Sequence, residues 1–339
     1  MSKKETGQFW ETASCYLDHH LKDIRQVSGH TISSYRDSLN SFIDYLECEE
    51  QISRKKITFH DFKKEILKRY QNWMITERRL APKTCNLRLT AIRALLEYAV
   101  QEHLWIMPIY TDACNITGVK IPDHAIEYFE PSELKNLLSS PSGRTKTDRR
   151  NQMMLIFLYD TAARVDEAKH VKAADLHLDA EVPYVTLLGK GRKYRNIPLM
   201  EKTILHLKKY LKEFHGSETR SERPLFYSKT HGQIHELSSD TFEKMIKKYA
   251  DLCRINGQAM PDKVHCHMLR KTRAMDLYRE GIPLTHIQQL LGHENISTTS
   301  GFYAFATLDV LAEALKAVKP DDGNKSWSDP ETLERLYRL

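Results

Sequence analysis

Apolar residues recur every three or four positions through the first hundred residues, which is the spacing of one face of an α-helix. The clearest case is the stretch HTISSYRDSLNSFIDYLECEE, where Thr31 or Ser33 is placed to cap the helix. Two later stretches, ITFHDFKKEILKRYQNWMITERR and APKTCNLRLTAIRALLEYAVQEH, repeat the pattern. We therefore predict a bundle of four short helices over residues 8–105.

The pattern changes after this helical region. The stretch LWIMPIYTDACNITGVKIPDHAIEYFEPSELKNLL contains three prolines and loses the helical period until Pro131. That proline suits the first turn of a new helix. We therefore place a linker at 106–127 and begin a second domain at residue 128.

The second half of the chain mixes helices with short strands. The apolar stretch RRNQMMLIFLYDTAAR indicates a buried helix. Residues 184–188 and 194–199 are separated by the turn GKGRK, which predicts a β-hairpin. Helices are expected from about 201 to 252 and again from 267, where Gly281 and Pro283 mark a helix end. The second domain is placed at 128–319, and a tail at 320–339 carries the helical stretch SDPETLERLYRL.

Composition narrows the class of protein. The 339 residues are 41% hydrophobic and 28% charged, which is typical of a globular chain with a sizeable core. A net charge of +6 permits nucleic-acid binding without requiring it. The N-terminal stretch MSKKETGQFW lacks the apolar core of a signal peptide, and MMLIFLY is too short to span a bilayer. Six cysteines without C-x-x-C spacing indicate the reduced thiols of a cytosolic protein.

Two residues near the C-terminus have side chains that suit a phosphate. His267 and Arg270 are three residues apart and share one face of a predicted helix. A guanidinium can fork onto two phosphate oxygens, and an imidazole can pass a proton near neutral pH. A solvated helix face would produce the same pair.

A second histidine and a tyrosine follow in the sequence. His293 comes directly after LLG, where a helix end is expected, and Tyr303 lies ten residues later. A phenol ionises near pH ~10, so Tyr303 needs nearby cations to become a nucleophile. Taken alone, His293 could cap a helix and Tyr303 could be a core aromatic residue.

Basic residues occur at two further places. Arg164 follows the buried helix and must reach an anion or solvent, and Glu167 is near enough in sequence to pair with it. Lys190 lies between two glycines in the hairpin turn, where the backbone can approach another molecule closely. Three more basic residues occupy the same ribbon: Arg192, Lys193 and Arg195. A two-stranded ribbon fits a DNA groove, although a salt bridge and a solvated basic turn would explain the same residues.

Together and in this order, the motifs resemble the tyrosine recombinase family, also called phage integrases. The resemblance rests on TAARVDEA, LLGKGRKYRNIPL, HMLRKTRA and LLGHENISTT followed by a tyrosine, and it covers the whole second half of the chain. The stretches TISSYRDSLNSFIDYL and APKTCNLRLTAIRALLEYA are similar to the family's core-binding domain. The resemblance implies a mainly α protein. An N-terminal helical, SAM-like core-binding bundle would precede a mixed α+β catalytic domain with a small antiparallel sheet.

The resemblance also implies an active site. Its members would be Arg164 and Arg270 as the phosphate clamp, Lys190 as the acid for the leaving 5′ oxygen, His267 and His293 beside the phosphate, Tyr303 as the nucleophile and Glu167 as the support of Arg164. The implied reaction is site-specific recombination of double-stranded DNA through a 3′-phosphotyrosine. It needs no ATP, because the protein–DNA bond retains the energy of the phosphodiester. It needs no metal or other cofactor, because the cations of the protein replace Mg²⁺.

Partners and location follow from the same resemblance. Four copies would assemble on two paired sites, the two domains of each would form a clamp around DNA, and the tail at 320–339 would dock on a neighbouring protomer. Residues expected to touch DNA are Lys83, Thr84 and Arg88 of the helical domain and Arg192, Lys193 and Arg195 of the hairpin. The enzyme would act in the cytoplasm on the nucleoid. Its task could be integration or excision of a mobile element, or resolution.

The sequence departs from the family pattern at two places. Lys271 stands where the family usually has a histidine, and the ninth residue after His293 is Phe302 rather than a tyrosine. Either the loop is one residue longer and Tyr303 is the nucleophile, which we favour, or Phe302 holds that position and the chain is an inactivated recombinase. Two other hypotheses are a non-catalytic helix-turn-helix regulator and a metal-dependent nuclease. The sequence shows no convincing carboxylate cluster for the nuclease.

Overall fold

A computed structural model describes residues 3–122, 127–189, 193–216 and 221–292, with side chains from residue 7 onward. The chain divides into two compact units, Met1–His124 and Ala125–Leu339. Among the helices described, none is long and apolar enough to cross a membrane. The mainly helical fold with small antiparallel sheets confirms the predicted fold class.

The described part of the first unit is built from helices. They are α1 (Lys3–Ser14), which continues as a π-helical segment (Cys15–Ile24), α2 (Gly29–Cys48), α3 (Lys64–Thr76), α4 (Pro82–Glu102) and α5 (Met107–Cys114), with 3₁₀ turns at Arg54–Lys56, Phe59–Phe62 and Leu104–Ile106. Aromatic rings fill the core of this unit. The ring of Phe42 lies 4.9 Å from that of Phe62 and 5.0 Å from that of Tyr70. α2 begins earlier than its predicted caps, because Ser28 accepts the hydrogen bond from the Thr31 amide at 3.3 Å.

The predicted linker at 106–127 is helical in its first part. α5 packs against α4, where Arg93 donates to the carbonyls of Ala113 at 3.0 Å and Ile116 at 2.6 Å. The amide of Val119 donates to Asn86 Oδ1 at 2.7 Å, and Asn86 Nδ2 donates to the carbonyl of Val119 at 2.9 Å. The first unit therefore extends beyond residue 105. A helix of eight residues is too short to show a clear apolar period, which is why the sequence suggested a linker.

The second unit mixes helices and strands. Its helices are α6 (Pro131–Ser139), α7 (Lys146–Thr161), α8 (Val165–His170), α9 (Glu201–Phe214), α10 (Ser239–Ile255), α11 (His267–Arg279) and α12 (Leu284–Leu291). Strands β1 (Leu176–His177), β2 (Tyr184–Leu188) and β3 (Tyr194–Pro198) form one antiparallel sheet in that order. Strands β4 (Tyr227–Thr230) and β5 (Gln233–Glu236) form a separate hairpin.

The β2–β3 hairpin and the helix start at Pro131 agree with the sequence analysis. The register pairs Tyr184 with Pro198 and Leu188 with Tyr194. The β4–β5 hairpin was missed, since helices were expected throughout 201–252. All four residues of β5 are exposed, so this strand lacks the alternation of buried and exposed positions that marks a strand in a sequence.

The core of the second unit surrounds α7. This helix packs against α9 and α11, and its side chains Met154, Leu155 and Phe157 have no exposed surface. α7 ends at Thr161, and the next residue, Ala162, adopts left-handed backbone angles (φ 48°, ψ 29°) that turn the chain toward α8. The turn brings Arg164 to the start of α8, where it caps the helix together with Glu167.

Candidate active site

Arg164 is the first basic residue of the site and precedes α8. Its backbone amide donates to Glu167 Oε2 at 2.7 Å, and its Nη1 donates to Glu167 Oε1 at 2.8 Å. A second guanidinium nitrogen, Nη2, lies 3.4 Å from the carbonyl oxygen of Gly292. About a third of the Arg164 side chain (34%) remains exposed. Arg164 is therefore held by one carboxylate and still offers N–H groups to a ligand.

Glu167 is the buried carboxylate of the site. Desolvation would raise its pKa, but hydrogen bonds and charge from Arg195, and bonds from Arg164, outweigh that effect and lower the pKa to about 2. Arg195 reaches it from β3, with Nη1 at 2.8 Å from Oε1 and Nη2 at 2.7 Å from Oε2. Glu167 is thus ionised at neutral pH and shared by two guanidinium groups.

Arg270 is the most buried of the site cations that the structure describes, with 2% of its surface exposed. It lies on α11, and its Nη1 donates to the carbonyl of Ala162 at 2.7 Å. Its Nη2 donates to the carbonyl of Leu291, at the end of α12. Burial and the positive charge of Arg164 lower the pKa of Arg270 to about 9, so the group remains protonated at neutral pH.

The two predicted clamp arginines converge on one place. Arg270 bonds to the carbonyl of Leu291, and Arg164 lies against the carbonyl of the next residue, Gly292. They come from different elements that are separated by more than a hundred residues of sequence. Two like charges this close repel each other, so the place favours an added anion.

His267 is the first residue of α11 and lies one turn before Arg270. The residue keeps exposed surface, yet partial burial of its imidazole lowers its pKa to about 4, and the charges of Arg270 and Lys271 act in the same direction. His267 is therefore neutral at pH 7 in the free protein. A bound phosphate would oppose these cations and raise the pKa, which brings His267 closer to the range for proton transfer.

Two glycines allow these elements to approach each other. A Cβ on Gly189 would lie 3.1 Å from Arg195 Nη1 and 3.4 Å from Glu167 Oε1. A Cβ on Gly292, which ends α12 with φ +62°, would lie 3.1 Å from the same Arg195 nitrogen. A side chain at either position would therefore crowd Arg195, and each glycine comes directly before a residue that is expected in the active site.

Several predicted residues lie outside the described residues. They are Lys190, Arg192, His293, Phe302, Tyr303 and the tail at 320–339. Their roles remain predictions. The structure brings together Arg164, Glu167, His267 and Arg270.

The residues expected to touch DNA fall into two groups. Lys83 is exposed at the start of α4, and Thr84 and Arg88 on the same helix are partly exposed. Lys193, at the base of the hairpin turn, is also exposed. Arg195 differs, because its guanidinium donates to Glu167 and to the carbonyl of Leu290, and 13% of its side chain is exposed. These bonds direct the guanidinium of Arg195 toward Glu167 and Leu290, and its expected contact with DNA stays a prediction.

Backbone carbonyl groups form a part of the site that was not predicted. The carbonyls of Ala162 and Leu291 orient Arg270, and no sequence pattern marks a carbonyl as a ligand. Gly292 in LLGH was the one available signal, since a glycine after a helix often adopts left-handed angles. Within the described residues, no group of three or more His, Cys, Asp or Glu side chains could hold a metal ion.

Two family models match this chain, one in each of its two units. The sequence matches the phage integrase family over residues 127–307 and the phage integrase SAM-like domain over residues 14–113. Tyrosine recombinase XerD of Halalkalibacterium halodurans is 31% identical over 287 residues, which cover 83% of this chain and 89% of the relative. The chain therefore belongs to the phage integrase family of tyrosine recombinases.

Solved structures share the fold. XerH site-specific recombinase, bound to palindromic difH substrate in a post-cleavage complex, has a TM-score of 0.66 at 22% identity and covers 89% of this chain and 84% of that chain. The Tn1549 transposon integrase in complex with circular intermediate DNA has a TM-score of 0.65 at 20% identity and covers 89% of this chain and 98% of that chain. Each of the two similarities covers 89% of this chain and therefore includes parts of both units.

Proposed function

We propose that this tyrosine recombinase carries out site-specific recombination of double-stranded DNA through a 3′-phosphotyrosine. The hydroxyl of Tyr303 attacks the scissile phosphate and passes its proton to the neutral imidazole of His267, and the bond from phosphorus to the 5′ oxygen breaks. Lys190 gives a proton to that oxygen, which leaves as a 5′ hydroxyl. The 5′ hydroxyl of a partner strand then attacks the phosphotyrosine and releases Tyr303. The number of phosphodiester bonds is unchanged, so the reaction needs no external energy source.

The observation that carries the proposal is the convergence of Arg164 and Arg270. Their guanidinium groups donate to adjacent carbonyls at the end of α12, and Arg270 is almost completely buried. A phosphate placed there receives N–H donors from two directions, and the negative charge that develops on its oxygens is stabilised without reorganisation of water. Removal of one such donor typically slows an enzyme by about 10²–10³-fold.

His267 has a place in the same mechanism. It begins the helix that carries Arg270, and its neutral imidazole can donate one hydrogen bond to a phosphate oxygen or accept the phenolic proton. His293 follows Gly292, the residue whose carbonyl lies against Arg164. We propose that both histidines flank the scissile phosphate and that Glu167 supports Arg164.

The finer parts of the proposal concern assembly and task. XerH was solved on a difH substrate and the Tn1549 integrase on circular intermediate DNA, which supports recombination sites on duplex DNA as the partner. The likeness to a transposon integrase supports integration or excision of a mobile element as the task. We further propose a homo-tetramer on two paired sites, with the tail at 320–339 docked on a neighbouring protomer, acting in the cytoplasm on the nucleoid.

A covalent trap tests the proposal. The substrate is a duplex with a nick just beyond the scissile phosphate, so that a short fragment diffuses away after cleavage and prevents rejoining. The wild-type chain is expected to form a covalent protein–DNA complex that survives denaturing electrophoresis. Tyr303→Phe should bind the same DNA with similar affinity and form no complex.

One further variant, Phe302→Tyr, separates the remaining hypotheses. If Phe302 occupies the nucleophile position, the wild-type chain forms no adduct and Phe302→Tyr creates one. A helix-turn-helix regulator would bind the DNA and form no adduct in any of these variants. An adduct from Tyr303→Phe would contradict the assignment of the nucleophile.

A further inference from the structure

Arg195 joins three elements of the second unit. Its side chain leaves β3, where its backbone pairs with Leu187 of β2. Its two terminal nitrogens bind one oxygen each of Glu167 on α8, and its Nε donates to the carbonyl of Leu290 on α12 at 3.0 Å. One guanidinium therefore connects a hairpin, the helix after Arg164 and the helix before His293.

The packing around this guanidinium is tight on two sides. Gly189 and Gly292 face it, and an added Cβ on either would come within 3.1 Å of Arg195 Nη1. Gly189 also closes the hairpin turn, because its amide donates to the carbonyl of Lys193 at 2.8 Å. The last described residue before Lys190 and the last before His293 thus both pack against Arg195.

We infer that Arg195 is a positioning residue, which holds the hairpin leading into Lys190 and the end of α12 leading into His293 against the carboxylate partner of Arg164. The consequence for cleavage rests on the proposed function. The connection between the elements is independent of the proposed function, because it consists of contacts among described residues.

A lysine cannot replace this arginine. The three bonds need a planar fork with donors fixed in direction, and they hold a carboxylate in a two-point geometry. A lysine ammonium keeps the charge but binds as a single point, so it can satisfy Glu167 or the Leu290 carbonyl and not the whole set. Arg195→Lys therefore separates the loss of the connection from the loss of charge.

Arg149 offers a matched control in the same unit. Its Nε lies 2.9 Å from Glu213 Oε2, its Nη2 lies 2.7 Å from Glu213 Oε1, and its Nη1 donates to the carbonyl of Gly143 at 2.8 Å. Arg149→Lys thus removes a two-point carboxylate bond and a carbonyl bond among elements that carry no residue of the site, at a more exposed place (42% of the Arg149 side chain).

The first experiment measures hydrogen exchange of backbone amides in the full chain without DNA. We expect Arg195→Lys to speed exchange both in residues 184–198 and in residues 284–292, and Arg149→Lys to change neither segment. Unchanged exchange in both segments of Arg195→Lys would overturn the inference whether or not the wild type cleaves DNA. Gly189→Ala provides a second variant, since its Cβ pushes on Arg195 while the arginine itself is kept.

The second experiment measures the rate constant of adduct formation at saturating DNA. We expect Arg195→Lys to reduce it by about 10²-fold with little change in DNA affinity, because a misplacement of about 1 Å costs that much. A second substrate carries sulfur in place of the scissile 5′ oxygen. Its leaving group departs as a thiolate and needs no proton from Lys190. On this substrate, the slowing of Arg195→Lys relative to the wild type should be at least about tenfold smaller than on the oxygen substrate. Equal slowing on both substrates would show that Arg195 does not act through the hairpin.

The two experiments fail independently. A wild-type chain that forms no adduct contradicts the proposed function, and the exchange measurement still decides whether Arg195 connects the elements. An active wild type whose Arg195→Lys variant exchanges faster but cleaves at the full rate would contradict the positioning role.

Discussion

Ala162 is a non-glycine residue in left-handed backbone conformation beside the most buried arginine of the site. An alanine in this conformation is strained by roughly 1–2 kcal/mol. Glycine would relieve the strain, but it adds about 0.4–1 kcal/mol of chain entropy to the unfolded state and removes a buried methyl group worth about 0.8 kcal/mol. These effects nearly cancel.

We therefore expect Ala162→Gly to change the free energy of unfolding by less than about 1 kcal/mol. Ala274, in the same hydrophobic cluster, has ordinary helical geometry in α11 and no exposed surface. Ala274→Gly should cost about 2 kcal/mol, because it loses both helix propensity and burial. Urea denaturation of both variants measures the difference, and equal losses would mean that Ala162 is not strained.

Glu167 makes the stability of the second unit sensitive to acid. Its pKa is about 2 in the folded chain, below the ordinary value of 4.5, so its contribution is complete above pH 4.5 and is lost as the pH falls toward 2. Glu167→Gln should lose about 3 kcal/mol at pH 7, since Arg195 is left without its carboxylate.

Glu167→Gln should also lose less stability than the wild type as the pH falls from 4.5 to 2, because it has no carboxylate to protonate. His267, with a pKa lowered to about 4, adds acid sensitivity between its ordinary pKa of 6.5 and about 4 in both proteins. Denaturation curves at a series of pH values separate the two ranges. Parallel pH dependence of variant and wild type would contradict the ionised state of Glu167.

The end of α12 can be tested as an element. Gly292 and Gly281 both have left-handed angles, with φ of +62° and +79°. A Cβ on Gly281 would meet open space, whereas one on Gly292 would crowd Arg195. Alanine at either position should cost about 1 kcal/mol of stability.

Adduct formation should distinguish these two alanine variants. We expect Gly292→Ala to slow it by about 10²-fold, because the end of α12 and Arg195 must separate. Gly281→Ala should cleave at the wild-type rate after correction for the folded fraction. Equal rates for the two variants would show that the fit between α12 and Arg195 is unimportant for cleavage.

Local signals explain which elements the sequence predicted. The β2–β3 hairpin and the helix at Pro131 were predicted because a glycine-rich turn and a proline mark them directly. The exposed β4–β5 hairpin and the short helix α5 carry no such signal and were missed. Arg164, Glu167, His267 and Arg270 were found through motifs, and their relative geometry agrees with a shared site. The burial of Arg195 depends on how the hairpin packs on α8 and α12, which no local pattern reveals.

For the chain as a whole, the net charge of +6 and exposed basic residues such as Lys83 should favour binding to the phosphates of DNA. We expect the affinity for duplex DNA to fall steeply as salt rises, since each neutralised phosphate releases counterions. Lys83→Ala should weaken binding equally for different DNA sequences and reduce the salt slope by about 1. Titrations in the Tyr303→Phe background avoid cleavage, and a slope that Lys83→Ala leaves unchanged would remove Lys83 from the DNA contact.

The proposed mechanism joins Tyr303 covalently to DNA, and peptide mapping can locate that bond. Digestion of the trapped complex with trypsin and nuclease leaves nucleotide on one fragment of the protein. Residues 280–316 form a tryptic fragment in which Tyr303 is the one tyrosine, and Tyr278 falls in a different fragment. We predict a nucleotide linked through a 3′ phosphate to Tyr303 in that fragment. Nucleotide on any other residue, or a wild-type chain that forms no adduct, would rule out Tyr303 as the nucleophile.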